Sequence, residues 1–432
     1  MEKRPSSSQA VTDGVPIVET ELESTGHDQG SLKDGWRAWF QKDVISFFFL
    51  GLIIAFPTML VSTGANAMFP GVTGAFGVSL SCTAAVTAFT TPLFLHHINL
   101  HLRVVISLTA SVLGMIVCTL GRGSTGPVIG TCLAGSVYAF STNAYLAIAA
   151  FYDPKTVRAF SSGSGFAVVF GPGVYIALMR GLNKDWRKTY LVCLPFLLVQ
   201  VMIWWLLLSK EGRRAAERSR QETKSKQFQR DAESVSVEPS QETAGAPEAS
   251  GFGPGKTRLG LFLKTILPVY VLPLVACTLL GIFALFGLAP IFQEKATFKN
   301  APEGNLSYEI SFLLYGSAQF LFSMLSTIRT MSNVWLWALA QCVLVGMSIV
   351  QLFHPFFTYY GVWLVFIFFI GGVVGGSVTN TNEKISVDFH NRGEPRDVRS
   401  FAMSYGGLGN FGGDALGGGL AILAERMVLR SR

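Results

Sequence analysis

The segment Asp153-Pro-Lys-Thr-Val-Arg-Ala-Phe160 recurs late in the chain as Glu394-Pro-Arg-Asp-Val-Arg-Ser-Phe401. At the same offset and without a gap, Gly135-Ser136-Val137 pairs with Gly376-Ser377-Val378, and Gly165, Phe170 and Gly171 pair with Gly406, Phe411 and Gly412. Self-similarity over roughly half of a chain constrains the fold more than any local pattern, because it requires two like units. When those units are apolar, tandem membrane bundles of the kind used by secondary transporters follow.

The units are apolar. Half of the residues are hydrophobic and 14% are charged, and uncharged runs such as Val44 to Leu60 and Val104 to Leu120 interrupt the sequence. Runs of about 17 to 25 such residues cross a bilayer as helices. The expected fold class is therefore all-α: a polytopic membrane protein of about eleven transmembrane helices in two parallel pseudo-repeats, six plus five. The spans fall near 44–62, 75–95, 104–121, 127–152, 160–180, 189–208, 266–291, 308–328, 332–353, 361–385 and 400–425. The expected domains are a disordered cytoplasmic tail over 1–43, an N-terminal six-helix bundle over 44–208, a disordered cytoplasmic linker over 209–258 and a C-terminal five-helix bundle over 259–427. The linker is rich in Ser, Gln, Glu, Gly and Pro, which cannot bury enough apolar surface to fold.

Lys and Arg placement orients the bundle with its N-terminus cytoplasmic, although Arg180, Lys184, Arg187 and Lys188 stand on the wrong side. The only sequon, Asn305-Leu306-Ser307, then faces outward and makes Asn305 a glycosylation candidate. With no cleavable leader visible in the polar first forty residues, the first helix serves as its own signal. The net charge of +7 belongs to basic residues near anionic lipid and implies no nucleic-acid partner. The six cysteines lie scattered in apolar runs and read as small buried residues, so no metal and no cofactor are expected. His96, His97 and His101 read as solvated loop residues. The oligomeric state stays open.

Polar groups inside a span are costly unless they face a wet interior, so each is a candidate for handling solute or protons. Ser141, Thr142 and Asn143 lie mid-way along the fourth span, and the repeat sets Asn382, Glu383 and Lys384 at the matching depth of the tenth, with Asn380 a further polar candidate on that span. Hydropathy alone ends that tenth helix near Thr379, whereas the repeat carries it toward His390 and draws Glu383 into the groove. Asp414, flanked by glycines, is the other deep acid, with a proton or substrate role and a packing role both open. Gly163, Gly165, Gly406 and Gly409 bare one face of their helices for close packing. In the repeated turn, Pro154 and Pro395 stop a helix after Asp153 and Glu394. Arg158 and Arg399 follow at a helix start, where the macrodipole disfavours a cation. These six residues are candidates for paired inner-face latches, with anchoring of each turn to lipid as the alternative.

The block Ala150-Phe-Tyr-Asp-Pro, the run Ser161-Ser-Gly-Ser-Gly165, the segment Val378-Thr-Asn-Thr381 and Arg399-Ser-Phe-Ala-Met403 resemble the battenin family, the Batten-disease proteins of lysosomes and fungal vacuoles. The resemblance runs from about Lys42 to Ala424. It implies an endolysosomal or vacuolar multi-spanning protein, distantly similar to major-facilitator and nucleoside transporters. Such proteins are linked to organelle pH, basic amino acids and lysosomal catabolites. Four polar positions depart from the family pattern, which carries an acidic residue where this chain has Thr142, another near Gly281, an Arg near Met324, and an Asp where this chain has Asn410. The prenylation box and dileucine sorting signal of some battenins are also missing.

Three function classes follow. The first is a transporter of a small polar or basic solute, with or without proton coupling. The second is a non-transporting regulator or scaffold, which the altered polar positions favour. An enzyme is the weakest, because no nucleophile–base pair or metal motif occurs.

Overall fold

A computed structural model describes residues 42–95, 98–121, 123, 125–149, 154–183, 185–211, 258–326, 333–393, 402 and 406–430, with scattered residues between 213 and 225. The tail over 1–41 and nearly all of the linker lie outside these residues. Within hydrocarbon every backbone N–H and C=O must be satisfied inside its own segment, and the chain meets that demand with helices. They are α1 Lys42–Thr63, α2 Gly74–Phe94, α3 Leu100–Leu120, α4 Thr125–Ala149 and α5 Pro154–Gly181, followed by α6 Trp186–Leu206 and α7 Phe262–Glu294. The series continues with α8 Leu306–Ser326, α9 Trp335–Phe353, α10 Tyr360–Asn391 and α11 Gly406–Arg430.

Eight of these, all but α4, α8 and α11, are long and apolar enough to cross a bilayer by length and composition. The three others are equally long but more polar or glycine-rich, and α4 shows why that is tolerated. Past Ile129 none of its described residues is exposed, and Thr131 and Ser141 are buried.

Helix pairs recur six helices on. The contacts α1–α5, α2–α4 and α3–α4 have counterparts in α7–α11, α8–α10 and α9–α10, while α2–α11 and α5–α8 join the two sets. Missing side chains allow the approach. A Cβ at Gly163 would meet the Phe48 carbonyl oxygen across α1–α5, and one at Gly375 would meet the Gln319 carbonyl across α8–α10. A Cβ at Gly165 would lie 3.2 Å from the Phe320 ring, and one at Gly409 would lie 3.0 Å from Leu274. The largest apolar cluster spans both sets of helices, for instance where the Phe76 ring of α2 lies 5.4 Å from that of Phe286 on α7.

Several helices bend for identifiable reasons. π-helical turns occupy Phe262–Val271, around Pro268, and Ala284–Leu288 in α7, and Ile203–Leu207 at the end of α6. The last turn of α6 is tied down by Asp43 of α1, whose Oδ1 accepts the Ser209 amide at 2.9 Å. The loop before α8 is pinned too. The Lys299 amide donates to Thr358 O at 2.7 Å, and the Phe298 ring stacks on Phe357 with centroids 5.6 Å apart.

Of the two ends the sequence left open for the tenth helix, the longer holds: it runs past Thr379 to Asn391, and Gly393, at φ +65°, follows it as a left-handed stop. Other expectations change. Cys118, Cys193 and Cys277 are buried, but Cys82 and Cys342 are exposed on the outer surface, because lipid and core are equally apolar to a sequence pattern. His96 and His97 lie outside the described residues, and His101, in the first turn of α3, is exposed but also packs. Its Nδ1 accepts from Trp204 Nε1 at 3.0 Å, and its ring stacks on Trp205.

Candidate transport groove

The three consecutive polar residues of α4 diverge by about 100° each, as helical geometry requires. Ser141 turns into the bundle of α3 and α6, where its hydroxyl shares a hydrogen bond with Ser107 at 2.6 Å. Gln200 of α6 completes this buried network by donating to Ser107 Oγ at 3.1 Å and to Tyr145 OH at 2.9 Å. Asn143 points at α2 and donates to the Ala88 carbonyl at 3.3 Å, which is a packing contact. Thr142 takes the third direction, and its buried hydroxyl has no hydrogen-bond partner.

That third direction leads between the two helix sets. Tyr138 lies one turn before Thr142 on the same face of α4. It shares a 3.3 Å hydrogen bond with Ser164 of α5, and its ring meets that of Phe411 on α11 edge-on at 6.0 Å. One turn along α11 from Asn410 stands Asp414, whose Oδ2 is 3.5 Å from Asn410 Nδ2. Its carboxylate acts electrostatically on Tyr138 of α4 and on Tyr315 of α8. The outer face of α11 is marked by exposed Leu416, Leu420, Leu423 and Met427. Asp414 precedes Leu416 by two positions, which turns it to the opposite side. Thr142, Asn410 and Asp414 are all half-buried.

On α10, Asn380 and Thr381 are fully buried, and Asn382, Glu383 and Lys384 are half-buried. Lys384 is held one turn along its own helix by Asp388 at 3.2 Å, and Asp388 also accepts from Tyr270 OH of α7 at 2.6 Å. The extended helix thus carries Glu383 in ordered backbone, with its Oε2 atom buried. The repeated turn is less visible. Asp153, Glu394, Pro395 and Arg399 lie outside the described residues, and Pro154 and Arg158 are fixed only as the first turn of α5. Gly406 opens α11.

Sequence reasoning missed Tyr138, Ser164 and Gln200, whose partners are on other helices, and Glu309, buried in the first turn of α8 rather than solvated. Glu425, an acid within the apolar stretch Leu420 to Val428, gave a signal that went unread. It is buried as well.

The family model described as CLN3 protein matches residues 45–430. The chain belongs to the CLN3 family. Among curated proteins, Protein btn1 of Aspergillus fumigatus is 31% identical over 121 residues, which is 26% of either chain. Protein BTN1 of Chaetomium globosum is 24% identical over 201 residues, 45% of this chain and 44% of that one. The chain thus spans less than half the length of the curated relatives it matches. Solved structures with a similar fold include a D-xylose–proton symporter (TM-score 0.60, 12% identity, covering 90% of this chain and 96% of that one). A POT family transporter in complex with 5-aminolevulinic acid gives 0.57 at 11% identity, covering 90% and 94%. The nucleoside transporter NupG gives 0.51 at 15% identity, covering 89% of each. This CLN3-family chain is therefore a multi-pass membrane protein with a major-facilitator-like, transporter-type fold.

Proposed function

We propose that this CLN3-family protein moves a small polar or basic solute, a basic amino acid or a lysosomal catabolite, across an endolysosomal or vacuolar membrane by alternating access, with its N-terminus in the cytoplasm. The six-helix bundle over 44–208 and the five-helix bundle over 259–427 rock against each other along α2–α11 and α5–α8. The observation that carries this reading is Asp414, a carboxylate set on the inward face of α11 and within electrostatic reach of Tyr138 and Tyr315, one on each bundle. A membrane-embedded carboxylate suits a cationic solute or a proton as its counter-charge. Glu383 and Asn382, carried inward by the long α10, and Thr142, with its unpartnered hydroxyl, supply further polar contacts. Related folds are occupied by a sugar–proton symporter and by a transporter that binds 5-aminolevulinic acid, both of which handle small polar cargo.

Purified protein in vesicles tests the proposal. Saturable uptake of a basic solute is expected, with Asp414→Asn and Glu383→Gln lowering uptake while the protein still folds. A competing reading, a regulator of organelle pH without transport, draws on neutral Thr142 and Gly281, at or near which the family pattern carries acids. Absence of flux across a panel of basic and neutral solutes would favour it.

A further inference from the structure

At the end of the bundle opposite the α4–α5 turn, a chain of side-chain hydrogen bonds crosses between the two helix sets. Thr73, at the start of α2, donates its hydroxyl proton to Asn66 Oδ1 at 2.8 Å. Asn66 Nδ2 donates to Asn305 Oδ1, just before α8, at 3.2 Å, and Gln293 of α7 donates to the same oxygen at 3.4 Å. Beside it Tyr308 OH of α8 donates to the Ser62 carbonyl of α1 at 3.2 Å. Asn305, the glycosylation candidate, is in this arrangement the acceptor at the centre of the crossing.

Glu425 stands at the other end of that chain. It is 0% exposed, and its carboxyl faces the Thr73 hydroxyl and the amides of Thr73 and Gly74. Neither oxygen completes a hydrogen bond of regular geometry. From α7, Glu294 faces it with like charge. From α8, Tyr308 lies within its electrostatic reach, and Arg426, next on its own helix, is exposed. The contact is tight, since a Cβ on Gly74 would strike the Gly418 carbonyl.

We propose that Glu425 is a proton-binding site that controls this end of the bundle, an inference that rests on the alternating-access reading above. A threonine hydroxyl has one proton to give. In its neutral form Glu425 donates its own O–H to Thr73 Oγ1, which leaves the Thr73 proton on Asn66 and completes the chain Glu425→Thr73→Asn66→Asn305. Once ionised, Glu425 accepts the hydrogen bond of the Thr73 hydroxyl, which keeps its proton, Asn66 Oδ1 loses its donor, and a charge stands buried beside Glu294. Burying an ion without full hydrogen bonding is far costlier than burying a neutral acid, so ionisation favours separation of α2 from α11 and wetting of the carboxylate. The proton leaves to the water that enters the opened mouth. Acid therefore closes this end, and a rise in pH opens it.

The test reads conformation and needs no substrate, so it can fail independently of the transport reading. Spin labels are placed on Gly181→Cys, at the end of α5, and Glu303→Cys, before α8, in full-length protein in lipid nanodiscs with the native cysteines replaced by serine. Distances are measured by double electron–electron resonance at about pH 5 and about pH 8, on either side of any moderately shifted carboxylate. The expected result is a short distance in acid and a rise in the long-distance fraction by about fivefold or more at the higher pH. Glu425→Gln, whose amide can still donate to Thr73, holds the short distance at both pH values, and Glu425→Asp keeps the response. A wild-type distance that ignores pH, or a pH response that survives in Glu425→Gln, overturns the proposal. Should Glu425→Gln fail to fold, Thr73→Val replaces it: the long distance must then be populated even in acid, and an unaltered response overturns the proposal.

Discussion

Gly163 of α5 and Gly346 of α9 offer the same substitution, to alanine, with opposite expected signs. In a helix interior, alanine is favoured over glycine by about 0.5–1 kcal/mol because it loses less backbone freedom. At Gly346 nothing lies within 4 Å of the added methyl, so that gain stands alone. At Gly163 the methyl meets the Phe48 carbonyl oxygen, with Phe48 C at 2.7 Å and Leu52 N at 3.1 Å. All three obstacles are α1 backbone and cannot rotate away, so α1 and α5 must part. They are held together at a second point as well, where Gly51 faces the Phe160 carbonyl. Overpacking of this kind costs about 1–3 kcal/mol. Setting that against the propensity gain leaves Gly163→Ala destabilised by about 0–2.5 kcal/mol, toward the upper end because every obstacle is backbone, and Gly163→Val by more. Thermal unfolding of detergent-solubilised protein, followed by tryptophan fluorescence, should show a lower midpoint for Gly163→Ala and an unchanged or higher one for Gly346→Ala. If Gly163→Ala is as stable as the parent, the backbone approach between α1 and α5 is not as close as described, and the packing argument falls.

Two other outcomes follow from local chemistry. Gln200→Leu leaves Tyr145 OH without its donor and removes one partner from Ser107, for a loss of about 1–3 kcal/mol; combining it with Ser107→Ala should cost less than the sum in the same unfolding assay. Asp185 caps α6 by accepting the amides of Arg187 at 3.0 Å and Lys188 at 3.3 Å. Desolvation acts to raise its carboxyl, but those amides and the Lys188 ammonium outweigh it and bring the group below its usual value. A lowered carboxylate contributes stability above its unfolded value, and that contribution is lost as pH falls through the folded one. Asp185→Ala should therefore lower the unfolding midpoint near neutrality and converge with the parent in strong acid; a gap that persists in acid would refute the cap's charge dependence.

What the sequence made legible was governed by short-range rules. Uncharged runs placed α3 within a few residues of Leu100–Leu120, and the repeat carried α10 past Thr379, where hydropathy alone stopped. Lys384 and Asp388, one helical turn apart, support that extra length from within. The losses came where the partner is distant in sequence or where two environments look alike. Asn66 and Asn305 meet only because two loops converge. Cys82 faces outward although its neighbours are as apolar as those of buried Cys118, since lipid and protein interior select the same residues. The donation from Asn143 to the Ala88 carbonyl was likewise out of reach, because the azimuth of a side chain on a helix has meaning only once its neighbours are known.

The three helices that fall short of the apolarity needed to cross a membrane unaided also bear on how the chain is built. A segment with the polar load of α4 or the glycines and acids of α11 gains little by leaving the insertion machinery alone for lipid. Each has a contact surface awaiting it: α2 for α4, α10 for α8, and α2 with α7 for α11. Insertion of α4 and α11 thus depends on partners already made, and that of α8 on α5, already made, as well as on α10, still to come. A defect in α2 would be felt twice, once at α4 and again when α11 emerges, so mutations in α2 should lower cellular abundance more than equally disruptive ones in α9.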